Sequence, residues 1–221
     1  MTRSAGSASS SPRKGERTRE GILRVAVNLA SVEGLEGLSI GHLAKTLQMS
    51  KSGLFAHFGS KVELQLATIE MARNIFVDHV VRPALAQPAG IPRLWKLCDS
   101  WIGHVEEKVF AGGCFFSAAS FEFDSRPGPV RAAIVAAMQE WLSTLTRAID
   151  EAKKAGHIKA SVNASGFALE IYSMAVGAHW ASQLLDQKQA LKDARKLILS
   201  RIRSEVTAAV RHGELARMLK F

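Results

Sequence analysis

Cysteine is nearly missing from this chain of 221 residues, with Cys98 and Cys114 the only two present. Two thiols spaced this way in a chain of this size look like neither a disulfide framework nor a zinc site, and they fit a reducing compartment, the cytoplasm. Long apolar runs are missing too, since no stretch approaches the ~18 continuous apolar residues of a membrane span. The Ser-, Ala- and Gly-rich start lacks the apolar core of a signal peptide. A soluble, intracellular protein without a membrane partner is expected. Strand-like alternation is absent throughout, and so are the marks of catalysis. His42, His57, His79, His104, His157, His179 and His212 are scattered across predicted helices. None belongs to a His-Glu-x-x-His pair, and neither a Gly-x-Ser-x-Gly elbow nor a phosphate-cradling glycine loop occurs. No catalytic residue, metal or cofactor is expected. An enzyme on a helical scaffold would need a constellation that the sequence does not display.

What the chain does have is apolar mass and positive charge. A hydrophobic content of 47% supplies one sizeable core, or a small domain joined to a larger one. The formal charge of +9, with a pI near 9.9, suits a polyanionic partner, because Lys and Arg that neutralise phosphates release condensed counterions. Residues 1–62 hold nine Lys or Arg against four Asp or Glu, and the other 159 residues hold twenty against sixteen.

Residues 1–15 lack the apolar side chains needed to offset ordering entropy and read as a flexible basic arm. From Arg17, Ile22, Ala26, Leu29 and Ala30 recur at helical spacing until Gly34. Ser39 caps a second helix, Ser50 a third, and Ser60 a fourth that runs from Lys61 until Pro83 stops it. Further helices are predicted through Trp95–Val105, over Cys114–Phe123, from Val130 to about Ala155, near Asn163–Leu185, and over Lys188–Val210. The expected fold is all-α with about nine helices: a helix-turn-helix domain over 16–62, and a larger helical domain over 63–221.

Leu43 to Lys61 carries the strongest signal. A helix-turn-helix needs a small residue where its helices cross, apolar positions that hold the angle, and short polar residues facing base edges at the start of the second helix. Ala44 meets the first need. Ile40, Leu43, Leu47, Met49, Leu54 and Phe58 meet the second, leaving Lys51, Ser52, Gly53, Phe55 and His57 on or near the exposed face. Lys51 and His57 reach phosphates or base acceptors, Ser52 donates or accepts, Gly53 lets the backbone approach DNA, and Phe55 suits a thymine methyl. The bland alternative is a helical hairpin with a solvated basic edge.

The segment 49–61, Met-Ser-Lys-Ser-Gly-Leu-Phe-Ala-His-Phe-Gly-Ser-Lys, resembles the recognition segment of the TetR family of bacterial transcriptional regulators, typically Val-Ser-Lys-Gly-Thr-Leu-Tyr-His-His-Phe-Pro-Ser-Lys. The likeness extends back through residues 18–23 and 34–44. By this resemblance Thr18 and Ser39 approach the DNA backbone, the stretch from Ser50 and Lys51 to His57 faces the groove, and Lys61 holds a phosphate at a helix start. Three departures stand out. Gln48 replaces the common turn glycine, so the turn avoids positive φ there or bears strain. Phe55 lacks the usual tyrosine hydroxyl, and Ser52-Gly53 moves the side-chain hydroxyl one position earlier.

In the same family the remainder is a helical bundle that encloses a small-molecule pocket and forms the dimer. Trp95, Cys98, Trp101, Phe115, Phe121, Met138, Trp141, Met174 and His179 are candidate lining residues, with ordinary core packing as the competing reading for each. Cys114 is either a redox-sensitive thiol or a buried structural one. The segment near 163–185 has Glu170 as its single charged residue short of its C-terminal end, so it needs cover on two sides. Ala168, Ala175 and Ala178, with Leu191, Ile198 and Ile202 of the next helix, are the expected dimer contacts. The resulting expectation is a homodimeric repressor of a palindromic operator in double-stranded DNA, released by a small hydrophobic or aromatic effector. A sequence-nonspecific architectural DNA binder is the alternative. Effector, operator and regulated genes are not legible.

Overall fold

The computed structural model describes residues 14–212. The basic arm expected at 1–15 therefore falls, but for its last two residues, outside the described part. Every regular element is helical, and an isolated antiparallel bridge between Ile158 and Val206 is the one β contact among the described residues.

Three short-range signals build the N-terminal part. Helix α1 (Lys14–Glu33) buries Ile22, Leu23, Ala26, Val27 and Ala30 on one face. Helices α2 (Ile40–Thr46), α3 (Lys51–Phe58) and α4 (Lys61–Phe76) each start at the expected serine. The hydroxyls of Ser39, Ser50 and Ser60 accept from the backbone N–H of His42, Gly53 and Glu63, each at 3.1 Å. Such caps satisfy amides that the first helical turn leaves unpaired and contribute about 1 kcal/mol each. The turn between α2 and α3 closes with Gln48 N–H on the Lys45 carbonyl (3.2 Å) and Met49 N–H on that of Ala44 (2.9 Å). This Schellman pattern wants a left-handed residue after the cap. Gln48 takes that place at φ +52°, so the turn bears the strain rather than avoiding it.

Pro83 does not end α4 as expected. The chain widens into a π-helical segment (Val77–Val81), then continues as α5 (Arg82–Leu85) with the proline in its first turn. The wider turn shifts the hydrogen-bond register, with Arg82 N–H reaching the Val77 carbonyl. Pro83 then enters a fresh first turn, where an N–H is not required.

The larger domain packs α6 (Ile91–Glu106), α7 (Phe115–Phe123), α8 (Pro129–Lys154), α9 (Ala164–Leu184) and α10 (Gln189–Glu205), followed by α11 (Ala208–His212). Asn163 caps α9 by accepting from Gly166 N–H at 3.1 Å. The last long helix stops at Glu205 instead of reaching Val210. Val206 is extended there and pairs with Ile158, while Lys159 N–H bonds the Glu205 carbonyl and Thr207 N–H that of His157. Gly156, at φ +69°, turns the chain after α8 so that this pairing can form.

Helix α9 is covered on one side only. Ala168, Ala175 and Ala178, with Leu191, Ile198 and Ile202 of α10, are buried within the protomer. They are sites of close approach between α9, α8 and α10 of one chain, which corrects their expected role as contacts with a second copy. The outward stripe is Leu169, Ser173, Gly177, Trp180 and Leu184, flanked by Leu185 and Leu197. Its large apolar members are 48–69% exposed.

Candidate DNA-reading head and effector cavity

The apolar set of the helix-turn-helix closes as its spacing requires. Leu43, Ala44, Leu54 and Phe58 are buried, and Ile40, Leu47 and Met49 pack against them half-buried. Packing them leaves Lys51, Ser52 and Phe55 of α3 exposed, with Gly53 and His57 half-exposed beside them. Phe55 is 55% exposed, a large apolar ring left outside the core of the head. Thr18 lies on the exposed start of α1, and Ser39 at the entry to α2. Ser50 is already committed, since its hydroxyl accepts from Gly53 N–H and from the Ser52 hydroxyl (3.3 Å). Its first duty is the helix cap. Lys61 Nζ donates to Glu36 at 2.9 Å, and that bond is the first cause holding the Glu36 carboxyl below its ordinary value. A phosphate at α4 would have to share Lys61 with that carboxylate.

The reading head is clamped to the larger domain through α7. Glu122 accepts from the backbone N–H of Leu35 (2.8 Å) and of Glu36 (2.9 Å), in the loop that enters α2. At the loop before α7, Ala111 N–H donates to Asn28 Oδ1 (3.2 Å) and Gly112 N–H to Ser31 Oγ (3.0 Å). The approach at Gly112 is so close that a Cβ would lie 1.9 Å from the Ser31 carbonyl oxygen, which only glycine permits. Cys114 follows at the N-cap of α7, its N–H donating to His179 Nε2 at 3.1 Å. Both cysteines are free and buried, and burial pushes the Cys98 thiol up to about 12, far from a reactive thiolate.

The first turn of α7 also forms one wall of a cavity of about 290 Å³, near the lower end of the usual range for ligand pockets. Phe76, Val77, Val81 and Leu85 line it from α4 to α5, Trp101 from α6, and Cys114, Phe116 and Ser117 from α7. Ala137, Met138 and Trp141 come from α8, and Tyr172 from α9. Phe76 meets Trp141 edge-on at 5.0 Å, Trp141 meets Trp101 at 5.2 Å, and Trp101 stacks on Tyr172 at 5.6 Å. The Trp141 indole nitrogen is buried with no hydrogen-bond partner among the described residues. Burial is also the first cause raising the Tyr172 hydroxyl above its ordinary value. Arg73, Glu140, Thr144 and Arg147 complete the lining.

Of the candidate lining residues, the cavity gathers Trp101, Met138 and Trp141. The other six are elsewhere. Cys98 and Phe115 are buried in the core, Trp95 packs against it, and Phe121 is 68% exposed on α7. Met174 borders the groove between α9 and α10, and His179 serves the Cys114 amide. Burial, its first cause, lowers the His179 pKa, which keeps the ring neutral and able to accept. Arg73, Phe76, Phe116, Glu140, Arg147 and Tyr172 escaped the sequence reading. Glu140, Thr144 and Arg147 at i, i+4 and i+7 were the readable sign of a polar stripe. No group of three or more His, Cys, Asp or Glu able to hold a metal exists among the described residues, and no described helix is long and apolar enough to cross a membrane.

Comparison with known proteins agrees with this geometry. Residues 22–68 match the family model described as bacterial regulatory proteins of the tetR family, and residues 90–198 match a tetracyclin repressor-like C-terminal domain. The negative transcriptional regulator of the Staphylococcus epidermidis biofilm operon is 27% identical over 64 residues, covering 29% of this chain and 35% of that protein. The chain thus aligns with about a third of the length of this curated relative. A TetR transcriptional regulator from Chloroflexus aurantiacus superposes with a TM-score of 0.81 at 26% identity, covering 88% of this chain and 98% of the other. A TetR-family regulator from Cytophaga hutchinsonii shares the fold with a TM-score of 0.78 at 15% identity, over 90% and 99% of the two chains. These families are regulators and not enzymes, which removes the helical-scaffold enzyme. With its capped helix-turn-helix, its larger helical domain and both family models in register, the chain belongs to the TetR family of bacterial regulatory proteins.

Proposed function

We propose that this protein is a cytoplasmic homodimeric repressor that occupies a palindromic operator and leaves it when a small molecule fills the α4–α8 cavity. The observation that carries the reading is the link between cavity and reading head. Helix α7 contributes Cys114, Phe116 and Ser117 to the cavity at one end and Glu122 to the α1–α2 loop at the other. A ligand that repositions the first turn of α7 acts on the loop from which α2 and then α3 depart. It shifts the equilibrium only by its differential affinity for the two arrangements.

Lys51, Ser52, Gly53, Phe55 and His57 present the face that enters the major groove, with Thr18, Ser39 and Lys61 toward the phosphates. A second copy covers the stripe of Leu169, Trp180, Leu184 and Leu197, because a patch of this kind on a soluble helical domain marks an association surface. A negative regulator among the relatives supports repression as the output.

Selection of bound duplexes from a random pool, followed by competition with bulk DNA at physiological salt, tests the proposal. An inverted repeat bound at least ~10³-fold more tightly than bulk DNA is expected. Binding that bulk DNA competes away equally would establish the architectural alternative instead.

A further inference from the structure

We propose that the ligand of the α4–α8 cavity is a small amphipathic anion, an apolar or aromatic body ending in one carboxylate head group held at the rim by Arg147. The inference rests on the reading of this cavity as the effector site. The walls are apolar and aromatic, with Phe76, Met138 and Tyr172 beside the Trp101–Trp141 pair. The charged groups are gathered on one side, where Glu140 and Arg147 lie along α8 and Arg73 faces them from α4.

Arg73 commits the one acidic group of that rim. Its Nε and Nη2 donate to the two oxygens of Glu140, both at 2.7 Å, a bidentate pair that leaves little for an incoming cation. Glu70, 3.6 Å from Arg73 Nη1, is not part of the lining. Arg147 turns instead to a neutral partner, donating to the Thr144 hydroxyl at 3.1 Å. Two guanidiniums against one carboxylate leave the lining with a net charge of +1 at the end of an apolar slot. A cation is repelled there and a neutral head gains only ordinary hydrogen bonds, whereas an anionic head forms charge-assisted ones.

Octanoate and 3-phenylpropionate, each beside its amide and its amine, are the probes, read by tryptophan fluorescence because Trp101 and Trp141 stand in the wall. Both acids are expected to bind about three- to fivefold more tightly than their amides, with the amines weakest. Arg147→Gln should erase the preference for the acids while the amides bind as before, and Arg147→Lys should keep most of it. Arg147 is exposed, so both variants fold. Amides or amines that match the acids, a preference that survives Arg147→Gln, or no quenching by either acid in the millimolar range would each overturn the assignment. Operator release is measured separately. Acids that bind with the expected preference but never release DNA would sink the repressor reading alone, and release driven only by neutral apolar molecules would sink the anion assignment alone.

Discussion

His104 makes the protein's stability depend on acidity in a way the structure quantifies. The ring is buried between Phe110, at 4.7 Å, and Phe76, at 5.5 Å, and neither ring nitrogen has a hydrogen-bond partner among the described residues. Burial, with a smaller contribution from His79, lowers its pKa from 6.5 to about 4. A histidine held neutral by folding takes up its proton more readily in the unfolded chain. Its contribution is therefore complete above pH 6.5 and is lost as the pH falls toward 4, a total of about 3 kcal/mol. At pH 5 the loss is about 2 kcal/mol, a large share of the 5–15 kcal/mol typical of a domain. Urea unfolding at pH 7.5 and pH 5 measures it, with His104→Phe as the control that cannot titrate. The wild-type chain should lose about 2 kcal/mol more than the variant between the two conditions. Equal losses would show that His104 is hydrated or paired in the folded state and would refute the argument.

Gln48→Gly should stabilise the reading head by about 0.5–1 kcal/mol, because glycine relieves the left-handed strain at φ +52° but costs some unfolded-state entropy; thermal melting decides, and a fall in Tm contradicts it. Glu122→Gln should leave operator affinity within a few-fold while blunting its release by effector, since the carboxylate that receives the Leu35 and Glu36 amides is gone. Full effector response in that variant, read by gel shift, would place the coupling elsewhere. Trp180→Asp with Leu184→Asp should yield monomers by light scattering and cost most of the operator affinity. Lys51→Ala should weaken binding to every sequence and lower the slope of log affinity against log salt by about one; an unchanged slope would remove Lys51 from the phosphate contacts.

The parts of the fold written in local chemistry were legible. Ser39, Ser50 and Ser60 each cap the helix that their position announces, because capping depends on a side chain and an amide three residues apart. The face of α3 was legible for the same reason, as the positions buried by Leu54 and Phe58 fix which ones remain outside. Features set by tertiary pairing were not. Pro83 breaks a regular helix, yet a π-helical turn before it, invisible in the residue pattern, carries the chain through. Val206 fits the stripe of α10 and leaves it only because Ile158, far away in sequence, offers an extended partner. The alanines of α9 show the limit most plainly, since small residues mark close approach without saying to what. They meet α8 and α10, and the larger Leu169, Trp180 and Leu184 are left facing out. The cavity was half-legible in the same way. Its aromatics are periodic like any core, and the decisive Arg73 comes from α4, within the helical run that Pro83 was expected to stop.

The proposed dimer requires two reading heads to engage two half-sites together. Affinity for a selected inverted repeat, measured as the half-sites are moved apart in single base-pair steps, tests it most directly. Tight binding is expected when their centres lie one helical turn apart, about 34–36 Å, and steep loss when about half a turn is inserted and the second half-site rotates to the far side of the duplex. Affinity indifferent to the spacing, or an isolated half-site bound as tightly as the pair, would contradict it.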